Sequence, residues 1–209
     1  MPGLFITFEG TEGAGKSTQI KILADRLKAL ARPVRVVREP GSTPIGEEIR
    51  HTLQHSRSND AMTPETELLL INASRAQLVR EVIRPALKAG EIVLCDRFYD
   101  STVAYQGYGR GLDLSLVQSV IDIAVGDTRP HLTLMLHIPL KVSEQRQRHR
   151  AAGSQDRFEK AGSAFFEKVE EGFRAIAKAE PKRVKWIEAS ESADAVSETI
   201  WLHVQPLLP

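Results

Sequence analysis

The 209 residues carry 28 Lys and Arg against 27 Asp and Glu, a net charge of +1, so there is no broad field to attract a polyanion, and neither nucleic acid nor a membrane surface is an expected partner. The lone cysteine, Cys95, sits in an apolar run and cannot form an intrachain disulfide, which points to a reducing, cytoplasmic setting. The first residues lack the charge and apolar length of a secretory signal, and no later stretch approaches the roughly 18 apolar residues of a membrane-spanning helix.

The first apolar run, 4–8, reads as a strand, and Gly10-Thr11-Glu12-Gly13-Ala14-Gly15-Lys16-Ser17 follows it directly. Beyond Lys16, Ile20, Leu23, Leu27 and Leu30 recur at three- and four-residue steps, predicting a helix with one apolar face that Pro33 ends. A second strand, 34–37, runs into Arg38-Glu39-Pro40-Gly41. Thr63-Pro64-Glu65 predicts a helix start with a hydroxyl cap, an early proline and an acid at the exposed amides; Pro85 should kink or restart that helix before Gly90. The run 92–95 is a third strand and ends at Asp96, whereas Gly107-Tyr108-Gly109-Arg110-Gly111 reads as a mobile loop.

Asp113 and Gly126 bracket another helix, 132–138 is a fourth strand, and after an arginine-rich stretch come a helix at 163–179, a strand at 184–187 and a helix at 193–204. All five strands look too apolar for edges washed by water. Alternation of this kind predicts an α/β fold, a three-layer sandwich with a five-stranded parallel sheet and helices on both faces, in a single domain over 1–209.

The glycine-rich run between first strand and helix matches the phosphate-binding loop pattern in full. Its glycines let successive amides of Gly10, Thr11, Glu12, Gly13, Ala14 and Gly15 turn toward phosphate oxygens, Lys16 reaches the outer phosphates, and Ser17 and Thr18 open the helix. This predicts ATP as ligand, with Ser17 on Mg²⁺. Asp96, a carboxylate at the carboxyl end of a buried strand, would hold that metal through water or order Ser17.

With Asp96-Arg97-Phe98-Tyr99-Asp100-Ser101-Thr102-Val103-Ala104-Tyr105-Gln106 the chain closely resembles the thymidylate kinases. Arg38-Glu39-Pro40-Gly41, Ser74-Arg75-Ala76-Gln77 and the phosphate loop are similar to the other signatures of that family, in family order. The resemblance implies transfer of the γ-phosphoryl group of ATP to dTMP, giving dTDP and ADP in dTTP biosynthesis, with Mg²⁺ bridging the donor phosphates in a homodimeric enzyme. It also implies Arg38 and Arg97 as acceptor-phosphate ligands, the guanidinium fork matching phosphate oxygens, and Glu12 at the acceptor 3′-hydroxyl or the water shell of the metal. Arg75 corresponds to the arginine that bonds the thymine carbonyl, Thr102 to the residue that reads the ring edge, and Tyr105 to the ring that excludes a 2′-hydroxyl; Ser101 and Gln106 belong to the same acceptor segment. One position departs from the pattern: the family's stacking phenylalanine is Ile71, followed by Asn72, and an aliphatic cover forgoes about 0.5–1.5 kcal/mol of aromatic stacking.

The stretch 144–157, with arginines at Arg146, Arg148, Arg150 and Arg157, reads as part of a lid over approximately 141–157. The phosphate loop carries no arginine, and the resemblance is to members, chiefly bacterial, that place the catalytic arginine in the lid. Arg148 and Arg150 are the candidates, joining Lys16, Arg97 and Glu12 as catalytic residues. Two rival readings remain at this point. One is a kinase of another small acceptor on the same scaffold, against which the segments around Arg75 and Tyr105 argue. The other is a non-catalytic nucleotide-binding regulator, which needs no second anion site.

Overall fold

A computed structural model describes residues 3–56, 61–150 and 162–208, residues 144 and 147–150 through their backbone alone. Among them, β1 (Leu4–Glu9), β2 (Val34–Arg38), β3 (Ile92–Asp96), β4 (Leu132–His137) and β5 (Val184–Glu188) form one five-stranded sheet in the order β2-β3-β1-β4-β5, every pair parallel. The chain fills one side of β1 with β3 and β2, then crosses to the other side for β4 and β5, so a crevice opens beyond the carboxyl end of β1.

The connections are α1 (Lys16–Ala29), α2 (Pro44–Gln54), α3 (Pro64–Leu78), α4 (Arg84–Lys88), α5 (Tyr99–Thr102), α6 (Leu114–Val125), α7 (Leu140–Arg150), α8 (Ser163–Ala179) and α9 (Ala193–Val204). Alternate residues of β1 point to opposite faces. Leu4, Ile6 and Phe8 pack with Ile20, Leu23 and Leu27 of α1 and Ile200 of α9. Phe5 packs with Leu68 and Leu78 of α3 and Val117 and Ile121 of α6. Each fully buried side chain of this size contributes roughly 1.5–3 kcal/mol. None of the described helices is long and apolar enough to cross a membrane.

The helix starts predicted at Thr63 and Asp113 form, each side chain accepting a hydrogen bond from the amide three residues on, and Thr43 does the same for α2. Pro85 restarts its helix. A π-helical stretch, Val79–Ile83, precedes α4, and the Arg84 amide bonds the carbonyl of Val79 five residues back, a register that accommodates the missing proline donor.

Three expectations need correction, and one helix was missed. The strands at 34–37 and 184–187 are the two edges, because an open sheet must end somewhere; Val36 is 49% exposed, and Arg35 and Arg38 put charge on that edge. Leu30 is 52% exposed, since α1 ends at Ala29 and Leu30 only caps it. The glycine cluster at 107–111 is not a loop throughout: Val103–Gly109 is π-helical with Gly107 buried, and a Cβ there would lie 2.6 Å from Leu114. Finally, α2 was not predicted, although Thr43-Pro44 repeats the start signal of Thr63-Pro64.

Candidate active site

Loop 10–17 joins β1 to α1 through left-handed glycines, with φ of 130° at Gly10, 76° at Gly13 and 92° at Gly15. A Cβ on Gly10 would come within 2.1 Å of the Leu136 carbonyl, so only glycine fits there. Gly15 caps α1 with no side-chain bond to the first amides, which keeps that positive helix end available for an anion. Lys16 donates from Nζ to the carbonyls of Gly10 at 3.1 Å and Thr11 at 2.9 Å. Burial, reinforced by Arg97, lowers its ammonium to about 8, a shift that a neighbouring anion would reverse. Ala14 is buried beneath the loop, while Thr18 is exposed on the first turn of α1 and does not line the cleft. Ser17 Oγ donates to Asp96 Oδ2 at 2.9 Å.

The loop opens onto a cleft of about 300 Å³, whose far wall is the turn after β3. Arg97 holds a left-handed φ of 68°, unusual without a Cβ-free residue. From Nη1 it donates to the Gly10 carbonyl and to Ser101 Oγ, both at 3.0 Å, and from Nη2 to Glu12 Oε1 at 2.5 Å. Tyr105 donates its hydroxyl to the other Glu12 oxygen at 2.7 Å, and its ring lies 5.1 Å from the Arg97 guanidinium carbon. Burial alone would raise the Glu12 carboxyl, yet Arg97, Lys16 and the Tyr105 hydroxyl outweigh it and hold Glu12 below the usual range. Glu12 is therefore an anion within a loop of glycine-turned amides, turned toward Arg97 and Tyr105.

At the other end of the cleft, α3 presents Arg75, 1% exposed. Its Nε donates to Glu39 Oε2 and its Nη1 to Asn72 Oδ1, both at 2.8 Å. Asn72 is itself fixed, donating from Nδ2 to the Leu68 carbonyl at 2.8 Å. Burial raises the Glu39 carboxyl in spite of Arg75, and Glu39 Oε1 has no hydrogen-bond partner among the described residues. Thr102 Oγ1, also on the cleft wall, is likewise unpartnered there. Buried polar atoms of this kind are expensive unless a ligand or water meets them. Ile71 lines the same wall, and Gln106 lies beside it with its amide nitrogen donating to Glu67 Oε1 at 2.7 Å.

Arg38 closes the mouth of the cleft, half-exposed, donating to Glu47 Oε2 at 2.8 Å. Arg50 of α2 lines the cleft as well and donates to the Pro40 carbonyl at 2.9 Å. Neither Arg50 nor Glu39 was a predicted site residue; the first lies on the helix that was missed, the second is a motif residue whose partner, Arg75, is 36 positions away.

From β4 the chain enters α7, which packs on the phosphate loop. Ser143 Oγ donates to the Glu12 carbonyl at 2.6 Å and Arg146 Nη1 to the Gly13 carbonyl at 3.0 Å. The backbones of Arg148 and Arg150 complete the last turn of α7, but their side chains, and lid residues 151–157, lie outside the described residues.

A family model described as Thymidylate kinase matches residues 8–200 of the chain. A thymidylate kinase of Syntrophotalea carbinolica is 50% identical over 202 residues, spanning 95% of this chain and 93% of the relative. One of Pseudomonas fluorescens is 48% identical over 200 residues, 96% and 94% of the two chains. Among solved structures, a thymidylate kinase from Ehrlichia chaffeensis superposes with a TM-score of 0.79 at 32% identity, covering 98% of this chain and 99% of the other.

Proposed function

The chain belongs to the thymidylate kinase family of nucleoside monophosphate kinases, and from that premise we propose that it passes the γ-phosphoryl group of ATP to dTMP across the cleft between loop 10–17 and the turn at Arg97. Phosphorylation of thymidylate yields dTDP for dTTP synthesis. In this reading residues 1–209 act as one kinase domain with 141–157 as its lid.

Phosphoryl transfer asks little covalent help from a protein, so the work is alignment of two polyanions and neutralisation of their repulsion. The amides of loop 10–17, the α1 N-terminus and Lys16 hold the donor. Arg97 and Arg38 hold the acceptor phosphate, and its arrival competes with Glu12 and Glu47 for their guanidinium groups. Glu12, released from Arg97, is placed to accept from the acceptor 3′-hydroxyl. Arg75 donates to the base, oriented from behind by Glu39 and Asn72, with Ile71, Thr102 and Gln106 shaping the pocket around it and Tyr105 crowding the sugar. Arg148 or Arg150 closes over the transferring group.

Ser17 and Asp96 suit Mg²⁺, as a hydroxyl and a carboxylate 2.9 Å apart beside the donor loop; magnesium commonly takes one or two protein oxygens and completes its shell with phosphate and water. Bound there it would offset donor charge. Homodimerisation is supported by the apolar residues that the adjacent helices α3 and α6 expose, Leu69 at 58% and Ile123 at 76%; a single-chain mass in sedimentation at micromolar protein would remove it. The reduced, buried thiol of Cys95 accords with the cytoplasm.

The observation that carries the reading is the convergence of Glu12, Arg97 and Tyr105 between donor loop and base pocket. ADP release, measured by a coupled assay with ATP and Mg²⁺ against a panel of nucleoside monophosphates, should be fastest with dTMP. A preference for adenylate or cytidylate would refute the acceptor assignment.

A further inference from the structure

Glu9, the last residue of β1, is a buried acid that the phosphoryl-transfer scheme leaves without a task. It is fully buried, and both its carboxylate oxygens are spent on one target. Oε1 accepts from the backbone amide of Phe98 at 2.7 Å, and Oε2 accepts from Ser101 Oγ. Phe98 is the cap residue of α5 and has no side-chain cap of its own; its backbone amide is met by a carboxyl oxygen delivered from the neighbouring strand, the bond that an acid at the third helical position makes in a capping box. The same short segment begins at Arg97, whose left-handed φ of 68° requires support from its surroundings. Ser101 then links the two, donating to Glu9 and accepting from Arg97 Nη1 at 3.0 Å.

The far side of this segment is tied independently. Asp100 accepts from Arg183 Nη1 at 2.7 Å and Nη2 at 2.9 Å, fastening α5 to the start of β5. Glu9 supplies the tie on the donor-loop side, one residue before Gly10, whose carbonyl receives both Lys16 and Arg97. Burial and then the neighbouring Asp100 push its carboxyl up to about 8, so a neutral side chain of the same shape is a close stand-in.

We propose that Glu9 is a positioning residue, which clamps the Arg97–Ser101 turn to the end of β1 and so sets the distance between the donor loop and the acceptor-phosphate arginine. The proposal rests on the assignment of Arg97 to the acceptor phosphate and adds what holds it there. Because Arg97 grips the acceptor phosphate before transfer as well as during it, a shifted turn should weaken dTMP binding, and the clamp should be visible in kinetics with dTMP and silent toward ATP alone.

Two substitutions separate geometry from charge. Glu9→Asp keeps a carboxyl group but draws its oxygens back from the Phe98 amide; Glu9→Gln keeps the length, with an acceptor for Phe98 and a polar group for Ser101, and cannot ionise. With dTMP and ATP varied independently, Glu9→Asp should lose roughly 10- to 100-fold in kcat/KM for dTMP, chiefly through KM, while KM for ATP stays within about twofold. Glu9→Gln should recover to within about threefold of the unmodified enzyme. A purely structural role would instead lower kcat with both KM values unchanged, and that outcome overturns the proposal, as does a Glu9→Asp enzyme indistinguishable from the parent. Arg97→Ala, run alongside, separates the two layers. A flat dTMP response in Arg97→Ala removes the acceptor assignment and the clamp with it, whereas loss in Arg97→Ala beside a flat Glu9→Asp removes the clamp alone.

Discussion

At the scale of single residues, the cleft is built from charged groups held ready by partners that a ligand either displaces or leaves in place. In the proposed reading Arg97 and Arg38 belong to the first kind, with Glu12 and Glu47 the partners that phosphate would displace. Arg75 belongs to the second. Its bonds to Glu39 and Asn72 lie behind the pocket wall in a setting with almost no solvent, where an Arg–carboxylate pair fixes orientation more surely than it adds stability. Asn72 is the partner that a single substitution can remove while leaving the ion pair in place. Asn72→Ala removes the acceptor at Arg75 Nη1, leaves a buried donor unpaired at a cost of about 1–3 kcal/mol, and should raise KM for dTMP severalfold without changing KM for ATP. Steady-state kinetics of the variant check this; an unchanged dTMP KM would mean that Glu39 alone orients the guanidinium.

Elements matter chiefly through how closely they approach. The π-helical stretch Val103–Gly109 carries Tyr105 and Gln106 into the cleft and backs onto α8, and small residues on both sides make the approach possible. A Cβ on Gly172 of α8 would lie 2.9 Å from the Tyr108 ring and 3.0 Å from the Ala104 Cα. Backbone cannot yield as a flexible side-chain tip does, so Gly172→Ala should destabilise the fold by about 1–3 kcal/mol, the usual cost of overpacking. Denaturant unfolding would register this as a lower midpoint with an unchanged slope. A midpoint at or above that of the parent would show that α8 has room to move. On the opposite side of the phosphate loop, α7 already touches Glu12 and Gly13 through Ser143 and Arg146, so the base of the lid is anchored directly to the loop it is proposed to cover.

For the molecule as a whole, what could be read in advance was whatever chemistry is local in the chain. Loop 10–17 is legible because glycines, Lys16 and Ser17 act within one turn between a strand and a helix, and the parallel sheet is legible from alternation of apolar runs. The edge positions of β2 and β5 were not, because apolar content says how much of a strand is covered and nothing about which neighbour is missing. Nor were Glu9, Glu39 and Arg50. Glu9 reads as one more residue of an apolar strand until Phe98, 89 positions on, is brought against it. Glu39 gains meaning only beside Arg75, and Arg50 only once α2 exists. Each depends on tertiary contacts made by the crossover connections, whereas the motif residues announce themselves by spacing.

The central claim is that donor and acceptor meet end to end between loop 10–17 and Arg97. A crystal structure of the chain with dTMP, Mg²⁺ and a non-hydrolysable ATP analogue tests it most directly. The account predicts the triphosphate wrapped by loop 10–17 at the head of α1, the thymidylate phosphate on Arg97 and Arg38, and the thymine against Arg75 and Ile71. Triphosphate bound anywhere else, or a thymidylate phosphate out of reach of Arg97, would contradict it.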